Sequence, residues 1–151
     1  MNWKIVFIGG LAYYVTMFIL SMASGAVIHE GILQETYRAT ASFWRPELNQ
    51  DPPDMAALMK IWIPTGLLSC FIGAGIYSVI RSSLTGAAWQ RGLKFGVIAA
   101  LFALISLMGY WGVFNLPNQI WQWWAVDMIV LHLVGGIVLG LVAQKLAPAG
   151  N

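Results

Sequence analysis

The sequence predicts an all-α integral membrane protein, an antiparallel four-helix transmembrane bundle with both termini in the cytoplasm and an amphipathic helix in its first outer loop. Three observations carry this. Hydrophobic residues make up 59% of the 151 positions and charged residues 9%, where a soluble domain carries charges at about 25% of its positions. The charges are segregated: after Lys4 no Lys, Arg, Asp or Glu occurs until Glu30, and none lies between Lys60 and Arg81. Finally, four segments reach the roughly 20 apolar residues that a helix needs to cross the hydrocarbon core.

The first span runs from Ile5 to Ile28. Lys4, the apolar run and the small residues Ala23, Ser24, Gly25 and Ala26 also imitate the three parts of a secretory signal; the expectation is a retained span. Residues 30–60 form the long outer loop, acidic with Glu30, Glu35, Glu47, Asp51 and Asp54 against Arg38, Arg45 and Lys60. Ile32 to Trp44 contains neither Gly nor Pro after Gly31, and Leu33, Tyr37, Thr40 and Trp44 recur at three- and four-residue steps, the period of an amphipathic helix. Pro46 ends that helix, the Asp51-Pro52-Pro53-Asp54 stretch turns the chain, and Asp54 stands where an N-cap is needed.

Span two, Ile61 to Ile80, carries Pro64 near its outer end, where a kink is expected. Spans three and four cover Phe95 to Phe114 and Trp123 to Ala143, joined by the outer turn 115–122. Orientation follows from the basic residues. Lys4, Arg81, Arg91, Lys94 and Lys145 all fall on one side, with no acid among them, and such residues are held in the cytoplasm. Trp62, Tyr110, Trp111, Trp121, Trp123 and Trp124 gather at the outer boundary, Trp3 and Trp89 at the inner one. Indoles favour that interfacial layer, so anchoring is their expected role; a tryptophan-walled pocket for a quinone or lipid tail would use the same residues. Backbone in lipid must satisfy its own hydrogen bonds, which leaves helices as the form for spans of this length.

The few ionisable groups in or beside the apolar layer define the candidate polar site: His29, Glu30, Asp127 and His132, with Tyr37 and Arg38 near. Buried charge in a bilayer is costly, so such groups face protein or water. At 1.5 Å per residue Asp127 lies roughly 6 Å and His132 roughly 14 Å below the start of span four. A haem between His29 and His132 would need both rings at one depth and is not expected. His29, Glu30 and Asp127 offer nitrogen and carboxylate donors for a metal, yet adjacent residues point about 100° apart on a helix, so the pair needs a break such as Gly31. No cofactor is predicted. Small residues form two stripes at four-residue steps, Ser21-Gly25-His29 and His132-Gly136-Gly140, of the kind that lets helices approach closely.

No phosphate-binding glycine loop, nucleophile elbow, HExxH or CxxC pattern is present, and Cys70 is alone. Trp89-Gln90-Arg91-Gly92, the turn Phe114-Asn115-Leu116-Pro117, and Trp124, Asp127, His132, Gly136 and Gly140 give the second half of the chain its character. In these it resembles small four-span bacterial membrane proteins grouped as a domain of unknown function; the loop around Phe43-Trp44-Arg45-Pro46-Glu47 is longer than that pattern. The resemblance implies topology and a bacterial inner membrane, and carries over no catalytic residue. Two functions stay open: a non-catalytic accessory, assembly or scaffold subunit meeting a protein partner or further copies of itself, and binding or transport of a small ligand, ion or lipid at the outer polar cluster. The net charge of +2 suggests no nucleic-acid partner.

Overall fold

The computed structural model describes residues 1–148. Its helices are α1 (Ile5–Ile32), a short α2 (Gln34–Ala39), α3 (Met55–Ile80), α4 (Ala88–Trp111) and α5 (Asn118–Leu146). Among the described residues there is no strand. Helices α1, α3, α4 and α5 are each long and apolar enough to cross a membrane, making this a multi-pass membrane protein.

Neighbours are not set by order in sequence. The closest packing is α4 against α5, while α1 lies against both α5 and α3. Consecutive α3 and α4 meet through the rings of Tyr77 and Phe95, whose centroids are 5.3 Å apart. The neighbour order is therefore α3, α1, α5, α4.

Glycine makes the α4–α5 contact. A Cβ on Gly92 would press into the Gly136 carbonyl oxygen, one on Gly96 would come 2.5 Å from the His132 carbonyl oxygen, and one on Gly140 would meet the Ala88 carbonyl oxygen. Lipid supplies no hydrophobic drive between helices, so close backbone approach of this kind is what holds them. Helix α1 uses rings against glycine instead. Tyr13 fills the space beside Gly135, Tyr14 that beside Gly66, and Phe71 that beside Gly10.

Two apolar clusters result. The terminal-end cluster gathers Ile5, Tyr13, Cys70, Ala74, Tyr77, Phe95, Leu139 and Ala143. The loop-end cluster gathers Ile28, Leu33, Leu107, Leu116, Ile120 and Trp121. Beyond the first, Arg81 at the end of α3 donates to the Ala143 and Ala147 carbonyls at 3.2 and 2.8 Å, satisfying acceptors that the end of α5 leaves open. Arg91 of α4 donates to Gln144 of α5 at 2.6 Å.

Several expected boundaries shift. Helix α4 stops at Trp111, short of Phe114, because Gly112 comes next and the Tyr110 carbonyl accepts from both Val113 and Phe114. The single helix expected over Ile32 to Trp44 is in fact three pieces: the end of α1, the six-residue α2, and a 3₁₀ turn at Ala41–Phe43. Thr40 marks the break, its hydroxyl bonded back to the Thr36 carbonyl at 2.8 Å, a competition typical of threonine. Asp54 caps α3 by accepting from the Ala57 amide at 3.0 Å. The helix then continues through Pro64, with the Thr65 hydroxyl on the Ile61 carbonyl at 2.8 Å.

Candidate functional site

The site is built where α1 ends. Its last turns, Gly25–Ile32, are π-helical, and the Leu33 amide reaches back five residues to the Ile28 carbonyl at 2.8 Å. A π segment widens the turn and shifts the register of the residues beyond it; such segments recur at functional sites. Here it delivers His29 toward α5 and leads directly into α2, whose Tyr37 faces back onto the same ring. His29 and Tyr37 are stacked at 5.8 Å with their planes 13° apart.

A chain of hydrogen bonds runs through these residues. The Trp124 indole N–H of α5 donates to the Tyr37 hydroxyl oxygen at 2.7 Å, and that hydroxyl lies 2.7 Å from His29 Nδ1. The other ring nitrogen, Nε2, faces Asp127 Oδ2 at 4.0 Å. The Asp127 side chain is 15% exposed and that of His29 35%. Burial pushes the Tyr37 hydroxyl up to about 12; the Trp124 hydrogen bond opposes that rise and the nearby Asp127 adds to it.

Beside this chain lies a cleft of about 260 Å³ walled by Phe43, Trp44, Tyr110, Phe114, Trp121 and Trp124. Trp44 meets Trp124 at 62° and Trp121 meets Trp124 at 77°. Every indole N–H of the wall is spent on protein. Trp44 donates to the Tyr37 carbonyl at 3.2 Å and the Thr40 hydroxyl at 3.0 Å, Trp121 to the Leu116 carbonyl at 3.2 Å, and Trp124 to Tyr37. The expectation that the outer tryptophans serve as anchors is corrected for Trp121, which is 4% exposed; Trp124, like Trp44 from the loop, is partly buried against the loop-end cluster.

The sequence candidates separate into two groups. His29, Tyr37 and Asp127 come together. Glu30, one residue from His29, is exposed. Arg38 pairs with Glu35 at 3.0 Å on the exposed face of α2, as Arg45 does with Glu47 at 3.1 Å, an interaction that holds the Glu47 carboxyl below its ordinary value. His132 stays within its own helix, its Nδ1 2.7 Å from the Met128 carbonyl. No group of three His, Cys, Asp or Glu side chains converges among the described residues, so Glu30 does not complete a metal site with His29 and Asp127.

The stripes divide likewise. Gly136 and Gly140 lie against Gly92 and Gly96, but a Cβ on Gly25 would meet nothing within 4 Å. The Ser21-Gly25 stripe therefore makes no close helix contact at Gly25.

Trp124 and Trp44 are not among the sequence candidates for the polar site. Their signal is spacing: Trp121, Trp124 and Met128 step along one face of α5, and Trp44 falls on the Leu33-Tyr37-Thr40 stripe. No protein family, curated protein or solved structure matches the chain.

Proposed function

We propose that this chain is a non-catalytic binding protein of the bacterial inner membrane, which receives a small ligand at its loop end, the outer side, and keeps its termini in the cytoplasm. The orientation rests on Lys4, Arg81, Arg91, Lys94 and Lys145 gathering at the terminal end with no acid among them. The observation that carries the binding role is the Trp124–Tyr37–His29 chain facing Asp127, assembled from α1, α2 and α5 and set against an aromatic cleft. Pre-ordered polar groups beside an apolar recess are the usual form of a small-molecule site.

The accessory-subunit reading needs glycine faces free to meet a partner. That of α5 is occupied by α4 within the chain, while that of α1 is open at Gly25, so the choice between the two readings rests on the polar chain and the cleft. Gentle extraction from the native membrane and native mass spectrometry test the choice. The expected outcome is a small molecule or lipid at fixed ratio, lost in Asp127→Asn with folding intact. Emergence without one, bound stoichiometrically to other subunits, overturns the proposal in favour of the accessory role.

A further inference from the structure

We infer that the loop-end cleft is an aromatic cage for a quaternary ammonium group; this rests on the binding role above and names its ligand class. The wall is made almost wholly of rings, and Trp44 and Trp121 stand at steep angles to Trp124, with centroids 6.0 and 5.6 Å from it. Rings set at such angles form a corner, which a rounded cation fills better than a flat ligand does. Ring faces attract cations through their quadrupole, Trp most strongly, and cages of this composition are the common means of holding choline-type groups.

The hydrogen bonding favours the same class. With the N–H groups of Trp44, Trp121 and Trp124 all bonded to protein acceptors, the indoles have no donor left for a carboxylate, sugar or phosphate. A methylated ammonium needs none. Charge agrees as well. Asp127 stands three residues beyond Trp124 on α5 and acts on Tyr37, the hydrogen-bond partner of Trp124, so a carboxylate lies near the cage wall. The cleft of about 260 Å³ falls below the roughly 300–1,000 Å³ of drug-sized sites and suits a headgroup.

A phosphocholine lipid and a free choline-like solute present the same chemistry, and the experiment separates them. The whole chain is placed in nanodiscs of phosphatidylglycerol and titrated, with indole fluorescence as the signal, against choline and against its neutral isostere 3,3-dimethylbutan-1-ol. In a second arm, native mass spectrometry counts lipids retained from discs holding equal phosphatidylcholine and phosphatidylglycerol. A saturable choline response about tenfold or more tighter than that of the isostere supports a cage open to solutes. Selective retention of one phosphatidylcholine, reduced by Trp44→Leu and kept by Trp44→Phe, supports a cage for lipid headgroups. Equal binding of choline and isostere, with no preference for phosphatidylcholine, overturns the cage. If native extraction still yields an uncharged molecule at fixed ratio, the binding role stands and only the ligand class falls; if it yields none, both fall.

Discussion

The α4–α5 seam and the loop-end cluster each contain a histidine, and they hold together by opposite means. At the seam, backbone lies on backbone: Gly92 and Gly96 face Gly136 and Gly140, leaving no room for a methyl group. The loop end is built from large side chains whose donors each have a named acceptor. At its glycines the first region is specified by volume. The second is specified by direction and tolerates changes of volume better than loss of a hydrogen bond. His132 belongs to the seam only through its carbonyl, while His29 acts through its ring.

Adding volume at the seam gives the sharpest contrast. Gly92→Leu places carbon against the Gly136 carbonyl, which is backbone and has no rotamer to escape into. Overpacking costs about 1–3 kcal/mol where neighbours can adjust, and here it is expected to exceed that range. The measurement is the yield of monodisperse protein and its thermal midpoint in detergent. Gly25→Leu serves as the matched control, expected to leave both unchanged because nothing lies within 4 Å. A Gly92 variant as stable as the Gly25 variant would remove the basis for a volume-specified seam.

Removing a single oxygen tests the loop end. Tyr37→Phe keeps the ring and strips the hydroxyl that joins Trp124 to His29. Each partner is left unsatisfied, and an unmade bond of this kind costs about 1–3 kcal/mol. The same variant has a signature in pH. The folded value for Tyr37 is about 12 against an ordinary 10.0, so the folded chain holds this proton more tightly than the unfolded one. Its stabilising effect is whole below pH 10 and is lost as pH rises through about 12. Melting curves collected from pH 9 upward should show that loss in the parent and lack that component in Tyr37→Phe. Identical alkaline profiles would mean that Tyr37 is not enclosed as described.

The seam tests the reverse case, loss of a polar group where volume rules. His132→Phe removes a bond to the carbonyl four residues back on its own helix and leaves the Gly96 contact with the His132 backbone in place. Side-chain hydrogen bonds between membrane helices average about 0.6 kcal/mol, and one confined to a single helix should fall at or below that. A loss comparable to that of Tyr37→Phe would place His132 in a polar network after all.

How far the sequence reaches differs between the regions for the same reason. Span number and approximate position come from hydropathy, since a bilayer demands a minimum apolar length regardless of tertiary detail. Both halves of the seam carry the same four-residue recurrence, Gly136 and Gly140 on one side and Gly92 and Gly96 on the other; that the two stripes face each other needs the knowledge that α4 is the neighbour of α5. At the loop end, His29, Tyr37 and Asp127 are legible as rare ionisable or polar groups near the apolar boundary. Their union is not, because it depends on the π-helical end of α1 and on the break at Thr40, two local departures from α-helix that periodicity alone does not mark. Trp124 is one of a belt in the sequence, since an indole that anchors and an indole that donates inward look the same there.

The smallest effect belongs to the outward face of α2, where Arg38 and Glu35 pair at 3.0 Å with side chains 64% and 84% exposed. Water screens such a pair, and holding two long side chains in one geometry costs entropy that offsets the attraction. On a helix surface the net is about 0.2–0.5 kcal/mol. Replacing both by alanine should therefore shift the thermal midpoint by no more than the scatter between preparations, at low salt or high. The neighbouring residue Tyr37, on the opposite side of the same short helix, should matter several times more. If the alanine pair instead destabilised the chain as Tyr37→Phe does, α2 would be held by its solvent-side charges, and the loop end could no longer be described as organised from within by directed hydrogen bonds.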